Sequence, residues 1–484
     1  MTGMLAGAGE AEVLTLAKIR DPFDLFRTLS RDTLPVILQS GRNGNPAGRY
    51  SIVTSEPFMV LGFRQGRGSV RSRIREEVFE GDPLPVLQRE LDRHRVPPNE
   101  RIPFLGGAIG YLGYGLSPWI GGSRRPASRP SRWPDLHLAF YDHAFVVDHA
   151  AGKTHLVVTG WPEQGPSRRR QKRRMDLLAM QECFESRAER VESRPEARMG
   201  RAEFVTSKEQ YLRDIRRAQE LLAAGEIYQV NLSHKIRLPG DWNPPDLYPR
   251  LLERHPSSFA AYLPLRDHAL LCASPERLVR LSGRRAETSP IKGTRARSPV
   301  PEADREVSRA LAMAPKERAE NVMIVDLARN DLGRVCVPGT VITEELCRVE
   351  TLPSVHHLVS TVAGSLREEA CATDLVRALF PGGSMTGAPK IRAMEIIDEL
   401  ERFPRGIYSG SVGYFSLGGD LDLNIVIRSL ILSEREAELQ VGGAILAESD
   451  PEAEYRETLD KARPLLELLD ESEIAQEETS RGGA

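Results

Sequence analysis

Cysteine is scarce: five residues in 484 (Cys183, Cys272, Cys336, Cys347, Cys371), with no CxxC pair among them. That excludes a disulfide framework and points to a reducing, cytoplasmic setting. Neither sign of charge dominates, since 66 Lys plus Arg face 68 Asp plus Glu for a formal net charge of −2. No global field would draw the chain to nucleic acid or to an anionic membrane. Long apolar runs are missing too. The longest uncharged stretch, Ile102 to Ser123, holds seven glycines and two prolines, so a buried strand-turn-strand is expected there and not a membrane span. Glu10 and Glu12 stand where a signal peptide would be basic. Neither a Rossmann nor a Walker glycine pattern is satisfied, and no His/Cys metal cluster is present.

What is present is an ordinary globular composition, 40% hydrophobic, long enough for two or three domains at about 150 residues each. Residues 1–160 read as a β-rich domain of short runs such as LPVILQS, RYSIVTS and HLAFYDHAFVVD between Gly, Pro and Asp turns. Residues 161–203 are charged and helical in composition; the basic run Arg168 to Arg174 is read as a solvated linker helix. Residues 204–471 mix helices, such as SKEQYLRDIRRAQELLAAG with Gly225 as its stop, and strands, such as HALLCASP, DLNIVIRSLIL and AELQVGGAIL. A polar tail, 472–484, is expected to be disordered. Helices and strands abound without clean βαβ alternation, so the class is α+β.

Three patterns carry chemistry. In ETSPIKGTR, Lys292 precedes Gly293, where backbone can approach a ligand. It is either a turn lysine or, if held in an apolar pocket, a nucleophile. A free lysine is neutral only about once in 2,500 molecules at pH 7, so burial would have to lower its pKa. Second, Glu317 and Glu320 share one helical face, and Glu454, Glu457 and Lys461 share another. They are either surface salt bridges or, with water and a substrate carboxylate, a Mg2+ site. The last helix opens Ser449-Asp450-Pro451-Glu452, which reads as a capping box on Ser449. Third, PGGSMTGAPK before KIRAMEIIDELE, and Gly442-Gly443, offer backbone amides to an anion.

Together these segments resemble the chorismate-binding family, which includes the anthranilate, aminodeoxychorismate, isochorismate and salicylate synthases. GEIYQVNLS, ASPERL, PIKGTR, KERAENVMIVDLARNDLG, SVHHLVSTVAG, FPGGSMTGAPKIRAMEIIDELE, GIYSGSVGYF, NIVIRS and GGAILAESDPEAEYRETLDKA occur in family order. LQSG…GRYSIVTSEP and FLGGAIGYLGYG extend the likeness to the N-terminal region. The resemblance implies two large antiparallel sheets packed orthogonally, with helices outside. Isochorismate-type members carry a lysine base where this chain has Gln229, and anthranilate synthases typically spell PIAGTR where it has PIKGTR. Both differences favour the aminodeoxychorismate branch, which leads to 4-aminobenzoate and folate.

By the same resemblance Lys292 is the covalent nucleophile and Glu276 the general acid. Glu320 and Glu457 hold Mg2+, with Glu317 and Glu454 as water-mediated partners. Gln229, Gly293, Thr294, His357, Ser384, Tyr408, Arg428, Gly442, Gly443 and Lys461 surround chorismate. Gln39 and Ser40 lie in the part of the family that binds tryptophan. No Gly-x-Cys-x-Gly elbow is present, so ammonia is expected from a separate glutamine amidotransferase in a heterodimer. The alternatives are an anthranilate synthase component and a non-catalytic tryptophan-binding subunit.

Overall fold

The computed structural model describes residues 11–40, 48–121, 129–186, 200–353 and 355–469. The polar tail expected to be disordered lies outside these residues. The expected α+β class is met by two 12-stranded sheets whose neighbouring strands pair antiparallel. In the first, Val36–Gln39 pairs with Phe259–Pro264, joining N-terminal to C-terminal strands in one ladder; Gln229–Pro239 and Glu436–Ile445 lie towards its far end. The second does the same where Gly107–Leu112 pairs with Ser411–Ser416. The regions on either side of residue 160 therefore share both sheets and both main apolar cores.

Uninterrupted runs of uncharged, mostly apolar residues account for this burial. Gly107–Leu112 is buried at every position, because a strand covered on both faces has no need of polar alternation. The expected strand-turn-strand over 102–123 is corrected here. That strand is followed by a 3-10 turn, Tyr114–Leu116, and its partner on one side is the distant Leu136–Tyr141. DLNIVIRSLIL is likewise two strands. Leu421–Asn424 belongs to the second sheet and Ser429–Leu432 to the first, and the crossing between them ends at Arg428 with φ 51°.

The expected solvated linker helix is also corrected. Pro166–Glu185 buries Arg173, Leu177, Met180 and Phe184 against the fold, while Lys172 pairs with Asp142 at 2.7 Å and Asp176 at 2.8 Å. Arg169 lies over the Trp161 ring at 3.4 Å. The apolar spacing 177, 180, 184 is one helical stripe, and it outweighs the basic run. Lys208–Ala223 stops as expected before Gly225, whose φ is 75°. No described helix is long and apolar enough to cross a membrane.

Candidate active site

The strand Ile291–Ala296 pairs with Val355–Ser365, Ile291 opposite Val359 and Thr294 opposite His357, so the register slips between them. The slip is a bulge that carries Lys292 and Gly293. Gly293 has φ 82°, and a side chain there would come within 3.0–3.2 Å of Leu311 and Glu317. A bulge of this kind re-aims one side chain out of the ladder; here that side chain is Lys292. Its Nζ donates to the Ser384 carbonyl at 3.4 Å. Burial lowers the pKa of the amine below its usual value, and Glu320 and Glu276 only partly offset that.

Glu276 follows the strand Ala269–Ser274 and is 4% exposed. Its backbone is pinned on both sides, its N–H donating to Ser274 Oγ at 3.2 Å and its carbonyl accepting from Ile425 N at 3.0 Å. Oε1 accepts from the N–H of Ile291, the neighbour of Lys292, at 3.5 Å. Burial raises the carboxyl pKa above the usual range, against the opposing pull of Ser384 and Lys292. A protonatable acid and an amine poised towards neutrality thus face one site, with pKa values shifted in the directions that acid and nucleophile roles require.

Glu320 projects from the helix Pro315–Gly333 and Glu457 from Pro451–Leu469. Burial raises Glu320, Lys292 opposes, and Glu454 and Glu457 add to the rise. Glu454 is raised in the same way, and its Oε1 accepts from Ser449 Oγ at 2.7 Å. Glu457 feels burial too, but Lys461, at 2.7 Å, and other lysines hold it below the usual range. Carboxylates close enough to repel one another suit a hard cation that keeps several waters. Among the described residues no group of three or more histidine, cysteine, aspartate or glutamate side chains is placed to hold a metal ion, so the protein offers at most a pair of carboxylates with water completing the shell. Glu317, on the same helix as Glu320, forms an ion pair with Arg295. The helix cap is Asp450, whose Oδ1 accepts from Ala453 N at 2.8 Å. This corrects the capping box on Ser449, whose hydroxyl is used on Glu454.

Contacts and charge interactions link Thr294, His357, Arg428, Tyr408, Lys461 and Gly442 to one another and to Glu457. Thr294 Oγ1 and His357 Nδ1 lie 2.8 Å apart, and burial, reinforced by Arg428, lowers the pKa of His357 to about 4, leaving it neutral. Gly442 and Gly443 pair with Ser233 and Leu232; a side chain at 442 would strike the Leu232 carbonyl at 2.6 Å, and one at 443 would meet Glu454 Oε2 at 3.3 Å. Lys461 Nζ donates to the Gly442 carbonyl at 3.0 Å, and Arg428 Nη1 to the Lys461 carbonyl at 3.0 Å. Burial pushes the buried Tyr408 hydroxyl up to about 12. Gln229 is fully buried, and neither polar atom of its amide has a partner. Arg405 and Glu401, which the sequence did not single out, form a buried pair behind these residues. Four apart at a helix end, they look like any surface pair.

A cavity of about 620 Å³ lies between the sheets and is lined by Gln39, Ser40, Arg49, Tyr50, Arg277 and Asn424 among others. Gln39 Oε1 is buried without a partner, whereas Ser40 Oγ donates to the Tyr50 carbonyl at 2.6 Å.

Residues 45–467 match the model of the family described as chorismate binding enzyme. Aminodeoxychorismate synthase component 1 of Escherichia coli is 38% identical over 461 residues, 95% of this chain and 98% of that one. Anthranilate synthase component 1 of Aquifex aeolicus is 35% identical, covering 96% and 95%. The crystal structure of anthranilate synthase component I from Streptococcus pneumoniae superposes with TM-score 0.75 at 30% identity, covering 88% of this chain and 93% of that one. With sheets, lysine bulge and paired acidic helices in place, the chain belongs to the chorismate-binding enzyme family.

Proposed function

We propose that this chain is the synthase component of an aminodeoxychorismate synthase, converting chorismate and ammonia to 4-amino-4-deoxychorismate. Relatives of both the aminodeoxychorismate and anthranilate kinds match over most of the chain, so the single observation that carries the choice is Lys292 in its bulge, beside the buried acid Glu276. The neutral amine of Lys292 forms a bond to ring C2 as the double bonds shift and the C4–O bond breaks. Glu276 gives its proton to the departing hydroxyl, which leaves as water. Ammonia then bonds to C4, the double bonds shift back, and the C2–N bond breaks with its electron pair returning to Lys292. The proton shed by the new amine reloads Glu276. Two displacements in series leave the amino group where the hydroxyl had been.

Glu320 and Glu457, with Glu454 behind them, are the residues that would hold Mg2+, which when bound neutralises a substrate carboxylate. Arg428, Tyr408 and the Gly442–Gly443 backbone hold the other carboxylate, with Lys461 close by, and Gln229, Gly293, Thr294, His357 and Ser384 enclose the ring. Glu320→Gln and Glu457→Gln should each raise the Mg2+ concentration for half-maximal activity by about tenfold or more while leaving the melting temperature within a few degrees. Unchanged Mg2+ dependence in both would remove these residues from the metal site.

Ammonia comes in this proposal from a separate glutamine amidotransferase, in keeping with the "component 1" in the names of the relatives. The cavity lined by Gln39 and Ser40 would take tryptophan. The purified chain with chorismate, Mg2+ and a high ammonium concentration at raised pH should yield 4-amino-4-deoxychorismate by chromatography, and nothing with glutamine. Fluorescent anthranilate as the main product would assign the chain to the other branch, and glutamine-dependent turnover would contradict the separate partner.

A further inference from the structure

The guanidinium of Arg405 is 3% exposed and uses all five of its N–H groups. Nε donates to Glu401 Oε2 at 2.9 Å and Nη2 to Glu401 Oε1 at 2.7 Å. Nη2 also donates to the Asn231 carbonyl at 2.7 Å, and Nη1 to the Met385 carbonyl at 2.7 Å and to Ser409 Oγ at 3.3 Å. Glu401 Oε1 in turn accepts from the N–H and hydroxyl of Ser233 at 2.8 and 2.7 Å. The segments so joined are far apart in sequence, and each carries a wall of the reaction site. Asn231 lies two residues after Gln229, Met385 follows Ser384, and Ser409, at φ 61°, follows Tyr408. The Ser384 carbonyl is the acceptor for Lys292 Nζ.

We infer that Arg405, held by Glu401, is a positioning residue that fixes the Lys292 acceptor, the Gln229 strand and the Tyr408 loop in one geometry. This rests on the aminodeoxychorismate reading above. The planar fork of arginine is needed because the acceptors diverge around it. A lysine offers three donors from one atom, so Arg405→Lys loses at least two of the five bonds while keeping the charge opposite Glu401. The folded chain should persist, with its walls able to drift, and drift of about 1 Å is worth about 100-fold in rate.

The experiment compares wild type, Arg405→Lys and a control, Lys172→Met, which breaks the equally structural pairs to Asp142 and Asp176 remote from the site. Steady-state kinetics with chorismate, Mg2+ and ammonium, product identity and thermal melting are measured on each. Arg405→Lys should lose about 10–100-fold in kcat/KM for chorismate, beyond that of a control of equal or lower melting temperature, and should pass a larger share of chorismate to products other than 4-amino-4-deoxychorismate. Kinetics and product ratio equal to those of the control would overturn the positioning role. Wild type that makes no aminodeoxychorismate would overturn the underlying functional reading instead, so the two failures are distinct. Should Arg405→Lys not fold, Ser409→Ala and Ser233→Ala each remove one bond of the network; unaltered kinetics in both would likewise count against it.

Discussion

Lys292→Ala should lose aminodeoxychorismate synthesis by about 1,000-fold or more, because the first displacement has no nucleophile without it. The substitution also recreates the PIAGTR spelling found in anthranilate synthases, so a weak activity should appear in which ammonia or water attacks C2 directly. It stays weak because Glu276 and the acidic helices are unmoved and the rest of the pocket still favours reaction at C4. Lys292→Arg keeps the positive charge but has no neutral amine to offer, and should be as inactive as the alanine variant. Product analysis by chromatography with fluorescence detection checks all three. Full activity in Lys292→Arg would reduce the residue to an electrostatic role.

Glu276→Gln should lower kcat by about 100- to 10,000-fold, the range for a single positioned proton donor. The pH profile gives a sharper check. In the proposed mechanism Glu276 acts protonated, so its contribution falls as pH rises through its folded pKa, which burial has moved above the usual carboxylate value. Lys292 in the same mechanism acts neutral, so its contribution grows as pH rises through its own pKa, which burial has lowered. The wild-type profile is therefore bell-shaped, and Glu276→Gln should lose the descending limb that belongs to the acid while keeping the rise that belongs to the lysine. A descending limb surviving in the glutamine variant would assign the proton donor elsewhere.

Much of the site was legible because its chemistry sits in short contiguous segments. Lys292-Gly293, Glu276 in SPERL and the two acidic helix faces lie near one another in the fold. The fold class was legible from the strand-rich runs, but the places where a chain changes sheet were not. In DLNIVIRSLIL the apolar run Ile425-Val426-Ile427 leads straight out of the first strand, and the single Arg428 before Ser429 does not say by itself that the chain changes sheet there. The basic run ahead of Leu177, Met180 and Phe184 hid an apolar stripe that packs on the core. At the last helix, Ser449 and Asp450 are both good caps, and tertiary demand decided between them: Ser449 is needed by Glu454. The Arg405 network was invisible for a different reason. Apart from Glu401, its acceptors are main-chain carbonyls and a hydroxyl, up to 174 residues from Arg405, and a carbonyl has no letter in a sequence.

The bulge explains why the lysine, once present, is usable. A regular strand would alternate Lys292 and Thr294 on one face, whereas the slipped register and φ of Gly293 free Lys292 to meet Ser384. Covalent catalysis is the claim on which the choice of branch depends. Its most direct test is mass spectrometry of the intact chain, and of its proteolytic peptides, after incubation with chorismate and Mg2+ without ammonia. The account predicts a mass increase equal to chorismate less water, located on Lys292 within the peptide spanning Pro290 to Arg295, absent from Lys292→Ala and discharged by added ammonium with release of 4-amino-4-deoxychorismate. An unmodified lysine in protein that still makes the product at full rate would contradict it.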